Sequence, residues 1–178
     1  MDNIPIKNTC CTVAFSWRTE KNFIRPNVRK VKLLATRIAQ VAGTGLDQNH
    51  SLGVSFLSSA KMAEVNMDFL THKGDTDVIC FDYRGNGEDD FIPDEDNTGV
   101  DILICPAVAF REAQKRNLPY AREVTLYLVH GLLHAAGFDD LKPELKRKMR
   151  RAEKRVLSVI EKEFDLADIF LLDPEVSQ

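Results

Sequence analysis

The order of the apolar segments is the feature that most restricts the fold of this chain. Strand-like and helix-like segments alternate in the first part of the sequence, whereas the last third contains only helix-like segments. A doubly wound parallel sheet would need regular alternation to the end of the chain, so this order favours an α+β fold. We therefore predict one mixed sheet of about four strands packed on helices.

The predicted elements follow from the spacing of apolar residues and from turn and cap signals. The strands are predicted at 11–17, 52–57, 77–81 and 100–104. Helices are predicted from Pro26 to Gly43, from a cap at Ser58 or Ser59 past Phe69, and at 106–117, 121–136 and 143–163. The acidic, glycine-containing segment 82–98 is predicted to be a solvated loop.

Composition indicates one globular domain over residues 1–178. The chain is 44% hydrophobic and 29% charged, and a domain of 178 residues can bury a sufficient core without disulfides or structural metal. We expect the last dozen residues to form a loosely packed tail. The net charge of −3 argues against a protein that binds nucleic acid over its whole surface, but it permits a local basic region.

The sequence shows no signal peptide and no apolar run long enough to cross a membrane. Its four cysteines have no C-x-x-C pairing and lie mostly in or beside apolar, strand-like runs. Buried, reduced thiols in a cytoplasmic protein without a membrane partner are therefore expected.

The segment 128–140 contains the residues most indicative of chemistry. His130 and His134 are four residues apart in a helical pattern, so both imidazoles lie on one face, close enough to bind one metal ion. A third ligand requires the helix to end, and Gly137 can end it by adopting a positive φ. The chain can then fold back and bring Asp140 to the histidines. Asp139 is predicted to be a cap or a hydrogen-bonding partner behind the ligands.

These residues resemble the pattern H-G-x-L-H-x-x-G-[FY]-D-H of the YbeY-type metal-dependent endoribonucleases. The matching positions are His130, Gly131, Leu133, His134, Gly137, Phe138 and Asp139. The segments 76–81 and 101–105 also resemble two strands of that family, and Asn66 matches an asparagine in its preceding helix.

The resemblance implies a single-strand-directed endoribonuclease that acts in ribosomal RNA maturation and ribosome quality control. It implies one divalent ion per chain, with Zn²⁺ expected, and water activated by that ion as the nucleophile. The implied partners are ribosomal RNA, the small ribosomal subunit, and ribosomal proteins or assembly factors.

The chain departs from the family pattern at two positions. Asp140 stands where the family has its third histidine, although two histidines and a carboxylate still form an open metal site. Leu70 stands where the family has an arginine implicated in catalysis or phosphate binding. His72 and Lys73 are the nearest cations that could contact phosphate or the transition state instead.

Three alternatives use the same residues differently. A metzincin-like protease would need a glutamate directly after the first histidine, where this chain has Gly131. A mononuclear iron oxygenase also uses two histidines and a carboxylate, but no arginine for a cosubstrate is identifiable. A metal-stabilised ribosome-assembly factor without catalytic activity is consistent with the missing arginine.

The last long helix carries the main basic region. Eight cations lie between Lys142 and Arg155, opposite an apolar stripe. Such a face is either solvated or binds phosphates along an RNA strand. The residues selected as RNA contacts are Lys146, Arg147, Arg150 and Arg151.

Overall fold

The computed structural model describes residues 11–21, 23–84 and 99–172. Within these residues there are four strands: β1 (Thr12–Arg18), β2 (Ser51–Leu57), β3 (Val78–Asp82) and β4 (Val100–Ile104). The helices are α1 (Val28–Ala42), α2 (Ser59–Leu70), α3 (Pro106–Arg116), α4 (Tyr120–Ala135) and α5 (Pro143–Glu163), and a 3₁₀ turn follows at Leu166–Asp168. The predicted order of elements and the α+β class are confirmed.

The ends of the helices follow local signals in the sequence. Asn27 and Ser58 cap α1 and α2 by accepting hydrogen bonds from the backbone N–H of Lys30 and Lys61. Gly43 ends α1 in the left-handed conformation, and Pro106 occupies the first turn of α3. These signals explain why the predicted element bounds agree closely with the observed ones.

The four strands form one mixed sheet with the order β1-β2-β4-β3. β1 pairs with β2, and β2 with β4, in parallel; β3 pairs with β4 in the antiparallel direction and forms one edge. The sheet therefore combines two crossover connections with one antiparallel pair, as the mixed-sheet prediction requires.

The two faces of the sheet carry cores of different size. Ile102 and Ile104 of β4 join the main core, which α1, α4 and α5 build on one face. Leu103, which points to the opposite face, joins a smaller cluster with Met62 of α2 and Ile79 of β3. Helix α4 thus lies against the sheet on one side and against α5 on the other.

The chain after α5 is packed as far as Leu172. Ile169 and Phe170 are buried in the main core, and the Phe170 ring lies 5.9 Å from that of Phe56. The loosely packed tail predicted for the last dozen residues therefore does not begin before residue 173, because these apolar side chains cover the core beside the 3₁₀ turn. Residues 173–178 lie outside the described residues.

Two further sequence predictions concern the cysteines and membranes. Burial raises the pKa of Cys80 to about 12 and also raises the pKa of Cys105. Both thiols are therefore in their protonated form near neutral pH.

Within the described ranges, no helix combines the length and apolar character needed to cross a bilayer. Most of the predicted acidic loop, residues 85–98, and Cys10 lie outside the described residues.

Candidate metal centre

Helix α4 holds both predicted histidines at one end of its exposed flank. His130 and His134 are one helical turn apart, and their Nε2 atoms are separated by 3.0 Å. Their side chains are 22% and 32% exposed, so both are half-buried yet reachable from solvent. Gly131, between them, faces the sheet, where Ile102 and Val78 are its nearest neighbours. The packing of α4 on the sheet therefore fixes the direction of both imidazoles.

The turn after α4 brings the third predicted ligand back to the histidines. Gly137 adopts φ +86, and the backbone N–H of Phe138 donates to Leu133 O at 3.0 Å. Asp139 Oδ1 then accepts hydrogen bonds from the N–H groups of Asp140 and Leu141. This turn leaves Asp140 Oδ1 at 3.7 Å from His134 Nε2.

The three side chains present a donor set that fits a divalent ion. One ligand atom from each of His130, His134 and Asp140 lies within 4.8 Å of the other two. Two atoms bound to one tetrahedral Zn²⁺ at about 2.0–2.1 Å lie about 3.3 Å apart, close to the 3.0 and 3.7 Å measured here. Two neutral imidazoles and a carboxylate are also ordinary ligands for such an ion.

Glu153 of α5 is a site residue that the sequence analysis did not select. Its Oε1 lies 2.7 Å from His130 Nδ1, and we assign the proton to Nδ1, which donates to the carboxylate. This tautomer leaves the lone pair of Nε2 free for an ion. The sequence did contain a signal, because Glu153 adjoins Ala152 in the apolar stripe of an otherwise basic helix.

The pKa values of the two histidines are shifted in opposite directions. Burial lowers the pKa of His130, but the hydrogen bond and charge of Glu153 outweigh burial and raise it overall. Burial and the neighbouring His130 lower the pKa of His134. His134 is therefore the more easily kept neutral, as a metal ligand must be.

Arg84 is a second residue that the sequence analysis missed, and it holds the end of α4. Its side chain is only 11% exposed and forms hydrogen bonds to both carboxylate oxygens of Asp82. The same guanidinium donates to Thr44 O and to Ala135 O, a carbonyl in the last turn of α4. A cation at this helix end satisfies a free carbonyl and complements the helix dipole.

The other predicted site residues lie outside the three-ligand cluster. Asp139 supports the turn through its backbone hydrogen bonds. His72 and Lys73 are exposed in the turn after α2, which Asn66 holds by donating from Nδ2 to Gly74 O. Leu70 is 43% exposed at the end of α2. The residues selected as RNA contacts, Lys146, Arg147, Arg150 and Arg151, are all exposed on α5.

Comparison with known sequences gives matches over most of the chain. The family model described as endoribonuclease YbeY matches residues 16–161. A protein named endoribonuclease YbeY from an Exiguobacterium species is 31% identical over 121 residues, which cover 66% of this chain and 77% of the relative. Another of that name, from Rhodopirellula baltica, is 33% identical over 141 residues, covering 78% of this chain and 68% of the relative.

A solved structure with a similar fold supports the architecture. The solution structure of TM1509 from Thermotoga maritima superposes with a TM-score of 0.52 and covers 85% of this chain and 93% of its own. The two sequences are 18% identical, so this likeness concerns the fold alone. The range matched by the family model includes all of α4.

Proposed function

This chain belongs to the YbeY family of endoribonucleases, and from that membership we propose that it is a metal-dependent endoribonuclease that processes ribosomal RNA. The observation that carries the metal dependence is the set of three ligand atoms, from His130, His134 and Asp140, within 4.8 Å of one another. A divalent ion bound there would act as a Lewis acid, lowering the pKa of water and neutralising charge on a phosphodiester. Zn²⁺ is the expected ion.

Each residue of the centre has a separate task in this proposal. His130 and His134 would hold the ion through Nε2, and Asp140 would hold it through a carboxylate oxygen. Glu153 holds the proton on His130 Nδ1, which keeps the imidazole in the binding tautomer and fixes its orientation. Asp139 keeps the turn closed through its two backbone hydrogen bonds, so that Asp140 stays near His134.

The protease alternative is disfavoured by the surroundings of Gly131. A metzincin places a glutamate directly after its first histidine as the general base. A Cβ at position 131 would already meet Ile102 Cδ1 at 3.0 Å and Val78 Cγ2 at 3.3 Å. A side chain at this position would therefore point into the packed contact between α4 and the sheet.

One observation favours a second candidate, a metal-stabilised ribosome-assembly factor without nuclease activity. Leu70 stands where the family has an arginine, and its partly exposed side chain cannot stabilise phosphate charge. His72 and Lys73 are proposed to supply that charge from the adjacent turn. In either candidate the partners are ribosomal RNA and the small ribosomal subunit, with ribosomal proteins or assembly factors, and the predicted location is the cytoplasm.

Metal analysis combined with RNA cleavage tests the proposal. The purified protein is expected to hold one divalent ion per chain and to cleave a single-stranded fragment of small-subunit ribosomal RNA. His134→Ala should lose both the ion and the cleavage. His50→Ala is the matched control, because His50 pairs with Asp47 and is not one of the three candidate ligands, so its loss should change neither. A protein that keeps its ion and binds ribosomes but cleaves no RNA would favour the assembly factor.

A further inference from the structure

A surface cleft lies beside the turn that follows α4. Its volume is about 300 Å³, and it is lined by Phe138 of that turn and by Lys148, Arg151, Ala152 and Arg155 of α5. These α5 residues follow one another at intervals of three or four along the chain, apart from the adjacent pair 151 and 152. They therefore share one flank of the helix. The cleft has a cationic side, a floor formed by the small buried Ala152, and the Phe138 ring as its remaining wall.

The three cations of the cleft lack acidic partners among the described residues. Within the part of the chain that the structure describes, Lys148, Arg151 and Arg155 form no ion pair. Several arginines elsewhere are paired with carboxylates at 2.6–2.9 Å: Arg37 with Glu163, Arg111 with Asp75, Arg116 with Glu123, and Arg122 with Glu161. Three unpaired positive charges around one small cleft repel one another, and a bound polyanion would relieve that repulsion.

The cleft adjoins the metal centre without being part of it. Phe138 precedes Asp140 by two residues in the same turn, so one segment contributes both to the cleft and to the ligand set. Glu153, which contacts His130, lies on the other flank of α5, about 160° around the helix axis from Arg155. An RNA strand bound in the cleft would therefore lie next to the candidate metal centre but would not contact the reacting atoms there.

We propose that this cleft is a substrate subsite that binds one nucleotide of single-stranded RNA beside the linkage to be cleaved. Arg151, Arg155 and Lys148 bind its phosphate, for which guanidinium groups offer paired donors. The Phe138 ring packs against its base, an interaction that accepts any base. The proposal rests on the proposed function for the identity of the substrate, and it replaces three of the four RNA contacts selected from the sequence. Of those four, only Arg151 lines the cleft.

Steady-state kinetics and binding test the subsite with two charge-matched double variants. Lys148→Ala/Arg155→Ala removes two cleft charges, and Lys154→Ala/Lys162→Ala removes two exposed charges of the same helix that do not line the cleft. The cleft pair should raise KM for a single-stranded RNA 12-mer about ten-fold and leave kcat within two-fold, because the subsite does not touch the reacting atoms. The control pair should change KM less than two-fold.

Binding is measured separately by fluorescence anisotropy with a labelled 2′-O-methyl 12-mer, whose integrity is checked afterwards on a gel. The cleft pair should raise Kd about ten-fold near 100 mM salt. It should also reduce the slope of log Kd against log salt by up to about 0.7, since the cleft binds one phosphate and each single-strand phosphate contact contributes about 0.7. Phe138→Leu should raise Kd about five-fold without changing that slope, because stacking releases no counterions. The melting temperature of each variant shows that it is folded.

The possible results distinguish a failure of the subsite proposal from a failure of the proposed function. A wild-type protein that cleaves RNA, together with cleft and control pairs that behave alike, would overturn the subsite and leave the nuclease standing. A large loss confined to a Lys146→Ala/Arg150→Ala pair would also overturn it and return the contacts to those selected from the sequence. Selective loss of oligonucleotide binding in the cleft pair, with no cleavage by the wild type, would support RNA binding in the cleft while the nuclease proposal fails.

Discussion

His130 has different partners at its two ring nitrogens, and this difference determines which nitrogen can bind an ion. Nδ1 contacts Glu153 at 2.7 Å, whereas Nε2 faces His134 Nε2 at 3.0 Å. A carboxylate behind a ligating imidazole fixes both its tautomer and its orientation. At the scale of single residues, Glu153 therefore contributes to the centre without being one of its ligands.

Replacing Glu153 with glutamine should weaken metal binding. Glu153→Gln keeps the size of the side chain but removes the negative charge that holds the proton on Nδ1. We expect the Kd for Zn²⁺ to rise about 10–100-fold, measured by competition with a chelating dye. Glu144→Gln is the control, since Glu144 is exposed in the first turn of the same helix. Equal Zn²⁺ affinity in the two variants would contradict the role assigned to Glu153.

Among the elements, α4 determines the geometry of the centre because it is packed on both sides. Its buried residues face the sheet and α5, and only the flank with the histidines remains accessible. Arg84 fixes one end of the helix through Ala135 O, and Arg116 contacts Glu123 near the other end at 2.9 Å. A small displacement of this helix would move both candidate histidine ligands together.

Gly131→Ala tests how closely α4 must approach the sheet. Helix propensity alone predicts a gain of up to about 1 kcal/mol for this change. The added Cβ, however, would lie 3.0 and 3.1 Å from two atoms of Ile102. We expect packing to dominate and the free energy of unfolding to fall by about 1–3 kcal/mol, measured by urea denaturation. A stabilised variant would show that Ile102 and Val78 move aside easily.

Glu123 gives α4 a pH-dependent contribution to stability. Burial raises the pKa of this fully buried carboxyl despite the nearby Arg116. A raised folded-state pKa means that the stabilising contribution is complete below the ordinary pKa of about 4.3 and is lost as pH rises through the folded value. The ionised carboxylate is therefore a cost to the folded state at neutral pH.

Glu123→Gln should accordingly raise the melting temperature at pH 7 by about 2–4 °C, the equivalent of about 1 kcal/mol in a chain of this size. The difference from the wild type should disappear as pH falls to about 4, where the carboxyl is protonated in both folded and unfolded states. Thermal unfolding between pH 4 and 8 measures this difference. A pH-independent difference would assign the effect to the Arg116 contact instead.

At the scale of the whole molecule, the core is built from apolar side chains of the sheet and the helices. The main cluster joins all three of α1, α4 and α5 to the sheet, and the second cluster packs α2 against the opposite face. A domain of this size buries roughly 70% of its unfolded surface, which is enough for a stable fold.

Removal of the ion should therefore leave the chain folded. Chelation by EDTA, or the variants His130→Ala and His134→Ala, should preserve the far-ultraviolet circular dichroism spectrum. The free energy of unfolding should fall only by the stabilisation that ion binding supplies, RT ln(1 + [ion]/Kd), and the melting temperature should fall accordingly. Loss of the cooperative unfolding transition after chelation would show that the ion is structural.

The sequence alone was sufficient for the features that depend on neighbours in the chain. The i and i+4 spacing of His130 and His134 follows from helix periodicity, and the end of α4 follows from the freedom of Gly137 to adopt a positive φ. The bounds of α5 were predicted from the same kind of local signals, the apolar period and Pro143 in the first turn. Local sequence signals were therefore enough to predict most of the secondary structure and the three candidate ligands.

Only the tertiary structure decided the features that depend on residues distant in the chain. β3 lies at the edge of the sheet and pairs with β4 in the antiparallel direction, and no local sequence pattern predicts this pairing. The contact of Glu153 with His130 spans 23 residues, and that of Arg84 with Ala135 spans 51. In each case the packing of whole elements determines the contact. The residues that surround a charged side chain in the sequence are the same whether that side chain is solvated or contacts a buried acceptor, so the sequence pattern does not distinguish the two.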